Sequence, residues 1–252
     1  SAASDVYKRQ LLSLPPFFSK ERNIKKYEEK FSWLALIPVM ATGFFYFLPL
    51  VYQQNRLIQF FPQISSFLAL SLWCSKNSSV LQQLGLKRNG LISGIRLGLI
   101  CGFLLGGINT FVILWGVPSV GGDILFLKDT PHAQVPTWIM VPWGILLIAI
   151  GVELNFRGFL LGRLETLCVD WLRGAPRFAL HLGPVLAVAI SSLVFAFDPF
   201  MVSIFRHLHW IAVWDGLVWG WFFIRKRNLY MVIIAHAVEV VILYLSMNVA
   251  LT

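Results

Sequence analysis

Charge is what this sequence has least of. Only 13% of its 252 residues are charged, against about a quarter in ordinary soluble domains, and that deficit excludes a fully solvated globular surface. Acidic residues are the scarcer sign, with 12 Asp and Glu against 21 Lys and Arg and a formal net charge of +9. Cysteine is nearly as sparse. Cys74, Cys101 and Cys168 show no CxxC spacing, which excludes a disulfide framework and a cysteine zinc site and leaves thiols expected to be buried. No pattern calls for a metal or an organic cofactor. Internal repeats are missing too, which argues against the paired-repeat architecture of many transporters. Basic residues are not interleaved with aromatics as on a nucleic-acid-binding face, so no nucleic-acid partner is expected.

What the sequence has in abundance is apolar surface, at 57% of residues. Runs of about 20 apolar residues are too long for a soluble core of this size and identify an integral membrane protein whose first partner is the lipid bilayer. The first ten residues, SAASDVYKRQ, read as a translated sequencing adapter and are set aside. Residues 11–83 are expected to hold the N-terminal transmembrane helices, and residues 84–252 the core of the same membrane domain. The expected fold is an all-α, polytopic helical bundle with about seven transmembrane helices, or eight if the N-terminus is truncated. The candidate spans are roughly 31–52, 57–73, 91–115, 137–161, 184–198, 210–224 and 229–250.

The connections alternate in basic content. One set carries Lys20, Arg22, Lys25, Lys26, Lys30, Lys76, Lys87, Arg88, Arg96, Arg157, Arg163, Arg173, Arg177, Arg225, Lys226 and Arg227, and the other only Arg56, Lys128 and Arg206. The excess places the first set, and the N-terminus, on the cytoplasmic side and the C-terminus on the opposite side. Trp33, Trp73, Trp115, Trp138 and Trp210 fall near span ends, where an amphipathic ring prefers to lie, while the other tryptophans are expected inside the bundle or at its rim. Gly94, Gly98, Gly102, Gly106 and Gly107 form a small-residue stripe suited to close helix packing.

Ionisable groups inside such spans are costly, so each is a functional candidate. Glu153, Arg157, Asp215 and His236 stand out. Counted along the helix from Arg163, Arg225 and Arg227, the residues Glu153, Asp215 and His236 each lie about 14 to 15 Å deep. Three helices thus carry an ionisable group at one level, which reads as a polar pocket open toward the basic side. Glu153 and Arg157 are four apart and can pair on one helix face, as Glu239 can share a face with His236. The alternative is a structural ion pair between Glu153 and Arg157, with His236 a satisfied core histidine and Asp215 a helix-to-helix hydrogen-bond donor. Asp198, before Pro199, fits either depth or the outer face.

Three stretches carry a resemblance: VELNFRGFLLGRL from Val152, AISSLVFAFDP from Ala189, and DGLVWGWFFIRKRNLYMVIIAHAVEV from Asp215. They resemble the motifs of the CPBP family, the CAAX-protease and bacteriocin-processing membrane proteins also called Abi proteins, over about residues 84 to 245. The resemblance implies an α-helical intramembrane endopeptidase with motifs EExxxR, FxxxH and HxxxN or HxxxD, in which a glutamate activates water, histidines assist and an Asn or Asp helps hold the oxyanion. By that pattern Glu153 and His236 are the candidate catalytic residues with Arg157 supporting, and Asp215, at the same depth, is a further supporting candidate. Val152 stands at the first Glu position, Pro199 at the second-motif histidine and Val240 at the third-motif Asn or Asp. Valine can neither accept a proton nor bind a metal, so the resemblance implies a kept fold with peptidase activity lost or reduced. Phe205 to His209 also spells FxxxH, and is read as coincidence.

Three functions remain open on these grounds. One is a divergent membrane protease acting on a membrane-protein or peptide substrate, with Glu153 as general base and His236 as acid or oxyanion support. A noncatalytic scaffold or assembly factor for another membrane protein is the second. The third is a small proton-linked carrier.

Overall fold

The computed structural model describes residues 29–172 and 176–251, without the side chains of 176–179. The adapter-like stretch 1–10, the basic residues Lys20, Arg22, Lys25 and Lys26, and Arg173 and the Arg177 side chain lie outside the described residues. The described chain is helical throughout, with no strand. We label its principal helices α1 (Leu36–Phe45), α2 (Phe61–Lys76), α3 (Leu91–Phe111), α4 (Ile145–Glu153), α5 (Gly162–Trp171), α6 (Pro176–Ala196), α7 (Pro199–Phe205), α8 (His209–Lys226) and α9 (Leu229–Leu251).

Four helical stretches are long and apolar enough to cross a membrane: Arg56–Lys76, Val80–Ser119, Thr137–Trp171 and Leu229–Leu251. A fifth is available if Leu180–Ala196 and Pro199–Lys226, bent by 58° from each other, count as one broken span. The seven expected spans are therefore not matched one for one. Two reasons are local. Over 31–52 the apolar helix covers only Ser32–Phe45, about 21 Å of rise against a hydrocarbon core of about 30 Å. Pro49 follows in extended conformation and disfavours a helical Leu48, so the chain turns instead of continuing. The expected spans 184–198 and 210–224 are arms of the bent pair. Pro199 has no N–H to extend α6 and begins a new helix at its first position, while Asp198 caps it by accepting from the N–H groups of Phe200 and Met201.

The helices α3 and α9 pack most intimately, and the glycine stripe explains why. A Cβ added to Gly94, Gly98, Gly102 or Gly106 would lie within 3 Å of α9 or the residues just before it, down to 2.6 Å from the Ala235 carbonyl oxygen at Gly102. Gly107 faces open space and takes no part. The tryptophans divide differently from expectation: Trp73 and Trp219 are fully buried, whereas Trp143, Trp171, Trp214 and Trp221 are exposed on the bundle surface.

Basic residues gather at one end. Arg163 pairs with Glu29 there and stacks its guanidinium 4.2 Å over Trp73, while Arg227 pairs with Glu165. At the other end Arg206 lies 4.8 Å over Phe126, near Lys128 in the connection before α4. The α3 and α9 contact generates a prediction. Gly102→Val forces side-chain atoms into the α9 backbone and should lower stability by about 1–3 kcal/mol or more, read as a drop in Tm of the purified chain, whereas Gly107→Ala should leave Tm within error.

Candidate functional site

α4 continues without a break through a wide-turn segment, Leu154–Leu161, whose hydrogen bonds run from residue i to i+5, into α5. Such widened turns take more than four residues each, so residues i and i+4 lie almost one above the other, and they recur at functional sites. This local geometry sets Arg157 beside Glu153, with Nη1 3.2 Å from Oε1. Neither group is left to solvent: Glu153 is 0% and Arg157 2% exposed. The Arg157 guanidinium also lies 4.6 Å above the Phe195 ring of α6, and makes no aligned hydrogen bond from Nη1 or Nη2. It is a charge contact more than a hydrogen-bonded fork.

His236 on α9 reaches the same carboxylate oxygen, its Nδ1 2.7 Å from Glu153 Oε1. With Glu153 ionised, this fixes the tautomer that carries its proton on Nδ1. His236 Nε2 makes no hydrogen bond among the described residues, and the half-buried ring lines a cavity of about 780 Å³. Asp215 on α8 and Glu239 on α9 line the same cavity and share one amide: Asn109 Nδ2 donates to Asp215 Oδ1 at 2.9 Å and to Glu239 Oε1 at 2.5 Å.

All four sequence candidates thus gather at one depth, Glu153 with Arg157 and His236, and Asp215 one amide away from Glu239. Glu153 itself does not line the cavity. It sits behind His236, whereas Val152 and Val240, at two of the positions where the family pattern is polar, do line the cavity wall. The pocket also opens differently from expectation. It extends toward Lys128, Thr130 and His132 in the connection before α4 and toward Leu251 at the end of α9, away from the basic end. The depth count fixed the level of the charges but not the tilt of the helices that close one side. Burial pushes the His132 imidazole below its ordinary pKa, favouring the neutral ring at this mouth.

Pro199 lies at the start of α7 as part of a cap, and Asp198, 2% exposed, bonds Gln63 of α2 at 2.9 Å instead of standing in for a missing histidine. His209 is partly buried, turned to the Arg206 carbonyl and packed against Phe197; it does not line the cavity, although Phe205 of that FxxxH does. Asn109 was missed by sequence reasoning, as was the contact of Ser66 Oγ with Asn155 Oδ1 at 2.7 Å. The signal existed for Asn109, a lone amide deep in an apolar span. Among the described residues, no three of His, Cys, Asp and Glu converge with a geometry that could hold a metal ion.

Residues 134–242, less than half of the chain, match the family model of type II CAAX prenyl endopeptidase Rce1-like proteins. The match spans all three motif regions and bears out the resemblance read from them. No curated protein and no solved structure gives a significant match.

A buried ion deprived of its partner generates the prediction here. Glu153→Gln or Arg157→Met alone strands the opposite charge and should cost about 3–5 kcal/mol, while the double variant should cost clearly less than the sum of the two. A thermal double-mutant cycle on the purified chain measures this; additive losses would show that the two charges do not interact.

Proposed function

We propose that this is an integral membrane protein of the CAAX-protease-like type whose peptidase chemistry is lost or reduced. The observation that supports this reading is the exchange at the cavity wall. Val152 and Val240 face the cavity, and Glu153 is fully buried behind His236. A general base must come within hydrogen-bond reach of the water it activates, directly or through one water, and Glu153 Oε1 is instead held by His236 and Arg157. What remains is a carboxylate-histidine pair, in which Glu153 orients His236 and His236 Nε2 is the basic atom open to the cavity.

A second reading, the noncatalytic scaffold, draws on the same contacts. Glu153, Arg157, His236 and Phe195 clasp α4, α9 and α6 together, a role that needs no chemistry. The retained charges then serve a shape that another membrane protein recognises. A partner recovered stoichiometrically from native membranes, and released by Arg157→Met, supports that role.

Because the matched family model describes CAAX prenyl endopeptidases, a prenylated peptide with a CAAX ending is the first substrate to try. The full chain in liposomes should cleave it no faster than its Glu153→Gln variant, or at a rate at least about 100-fold below the ordinary enzymic value near 10 per second. Ordinary turnover that Glu153→Gln abolishes would overturn the proposal.

A further inference from the structure

The cavity has a distinct electrostatic character that the peptidase motifs do not account for. Two carboxyl groups, Asp215 and Glu239, line its deep end, with Glu153 behind His236. The nearby cationic groups are Arg157 and His236, and both are engaged with Glu153, at 3.2 and 2.7 Å. Asp215 and Glu239 share the amide of Asn109 and lie within hydrogen-bond reach of each other. Glu239 is 4% exposed, lines the cavity, and its Oε2 has no hydrogen-bond partner. A buried carboxylate oxygen without a donor is costly, and in a protein interior surrounded by lipid that cost is not relieved by bulk water.

The rest of the cavity is mostly apolar, although Gln63, Asn155, Asp198 and Tyr244 also line it and Lys128 stands toward its mouth. Phe67, Phe156, Trp219, Leu243 and Met247 contribute to walls that run from the acidic end to the mouth near His132. At about 780 Å³ its volume falls in the range of about 300–1,000 Å³ that encloses a drug-sized molecule. A long, mostly apolar chamber that ends in two adjoining carboxyl groups matches a ligand with a hydrocarbon tail and a cationic head. An ammonium group supplies up to three donors and a positive charge. It can take up Glu239 Oε2 while reaching Asp215, neither of which has a cation of its own.

We propose that this cavity is a binding site for an amphiphilic amine, with the ammonium held between Asp215 and Glu239 and the alkyl chain along the apolar walls. The site is independent of whether peptidase activity survives, because neither carboxylate belongs to the matched motif positions. Anionic amphiphiles are disfavoured by the same two groups, and neutral ones leave Glu239 Oε2 unmatched or only singly hydrogen-bonded.

Dodecylamine, dodecanol and dodecanoate test this on the full chain in nanodiscs, by titration calorimetry corrected for partition into empty nanodiscs. The wild type should bind the amine about tenfold more tightly than the alcohol, the difference a hydrogen bond to a charged group makes, and the carboxylate weakest. The Asp215→Asn, Glu239→Gln double variant should bind amine and alcohol alike. Equal affinity for amine and alcohol in the wild type overturns the proposal without reference to any variant. An amine preference that persists in the folded double variant overturns it as well. Ala212→Trp, which narrows the cavity without touching the carboxylates, should weaken amine and alcohol together; unchanged binding of both would place the ligand elsewhere and overturn the assignment.

Discussion

A carboxylate removed from water must be matched by positive charge or by donors, and Glu153 is the place where this bundle meets that demand. Its Oε1 takes both His236 from α9 and Arg157 from the widened turn after α4, and Arg157 in turn rests on Phe195 of α6. A single oxygen therefore ties α9 to the continuous helix of α4, and Arg157 extends that link to α6 by stacking on Phe195. Separation of any of them exposes an uncompensated ion to apolar surroundings, at a cost of several kcal/mol. Packing elsewhere must accommodate this arrangement because its geometry tolerates little error.

The clasp also decides what the cavity contains. Holding Glu153 inward rotates its neighbour Val152 toward the cavity, since adjacent helix residues point about 100° apart. On α9 both Glu239 and the following Val240 line the cavity. The polar character at the deep end of the chamber then comes from the third-motif histidine, His236, and from three residues outside the motif positions, Asn109, Asp215 and Glu239. The chamber is thus acidic at its deep end and mostly apolar along its sides.

Close backbone approach is the second structural requirement, and it is linked to the first. Gly106 lets α3 come so near α9 that an added Cβ would lie 3.1 Å from the Glu239 Cα. Asn109, three residues further and on the same face, is carried by that contact to within hydrogen-bond distance of Glu239 and Asp215. Small residues at the interface therefore place the amide that links the two carboxyl groups. Larger side chains along the stripe would hold α3 away and leave both of them without that donor.

Much of this was legible in the residues themselves. Helical class, membrane character and the shared depth of Glu153, Asp215 and His236 follow from apolar run length and a fixed rise per residue, which are properties of the chain alone. The pairing of Glu153 with Arg157 follows from spacing, and the glycine stripe from its period of four. Span count was less secure, because Pro49 and Pro199 interrupt runs whose composition reads as continuous. The side on which the chamber opens, the seclusion of Glu153 behind His236, and the meeting of Asn109 with Asp215 and Glu239 were not legible. Those depend on how the helices rotate against one another, which arises from contacts among residues 83 to 130 positions apart. Sequence by itself determined which groups would lie at one level in the bundle; only the tertiary structure decided which of them face each other and which face the cavity, because depth is set by residue count and facing by packing.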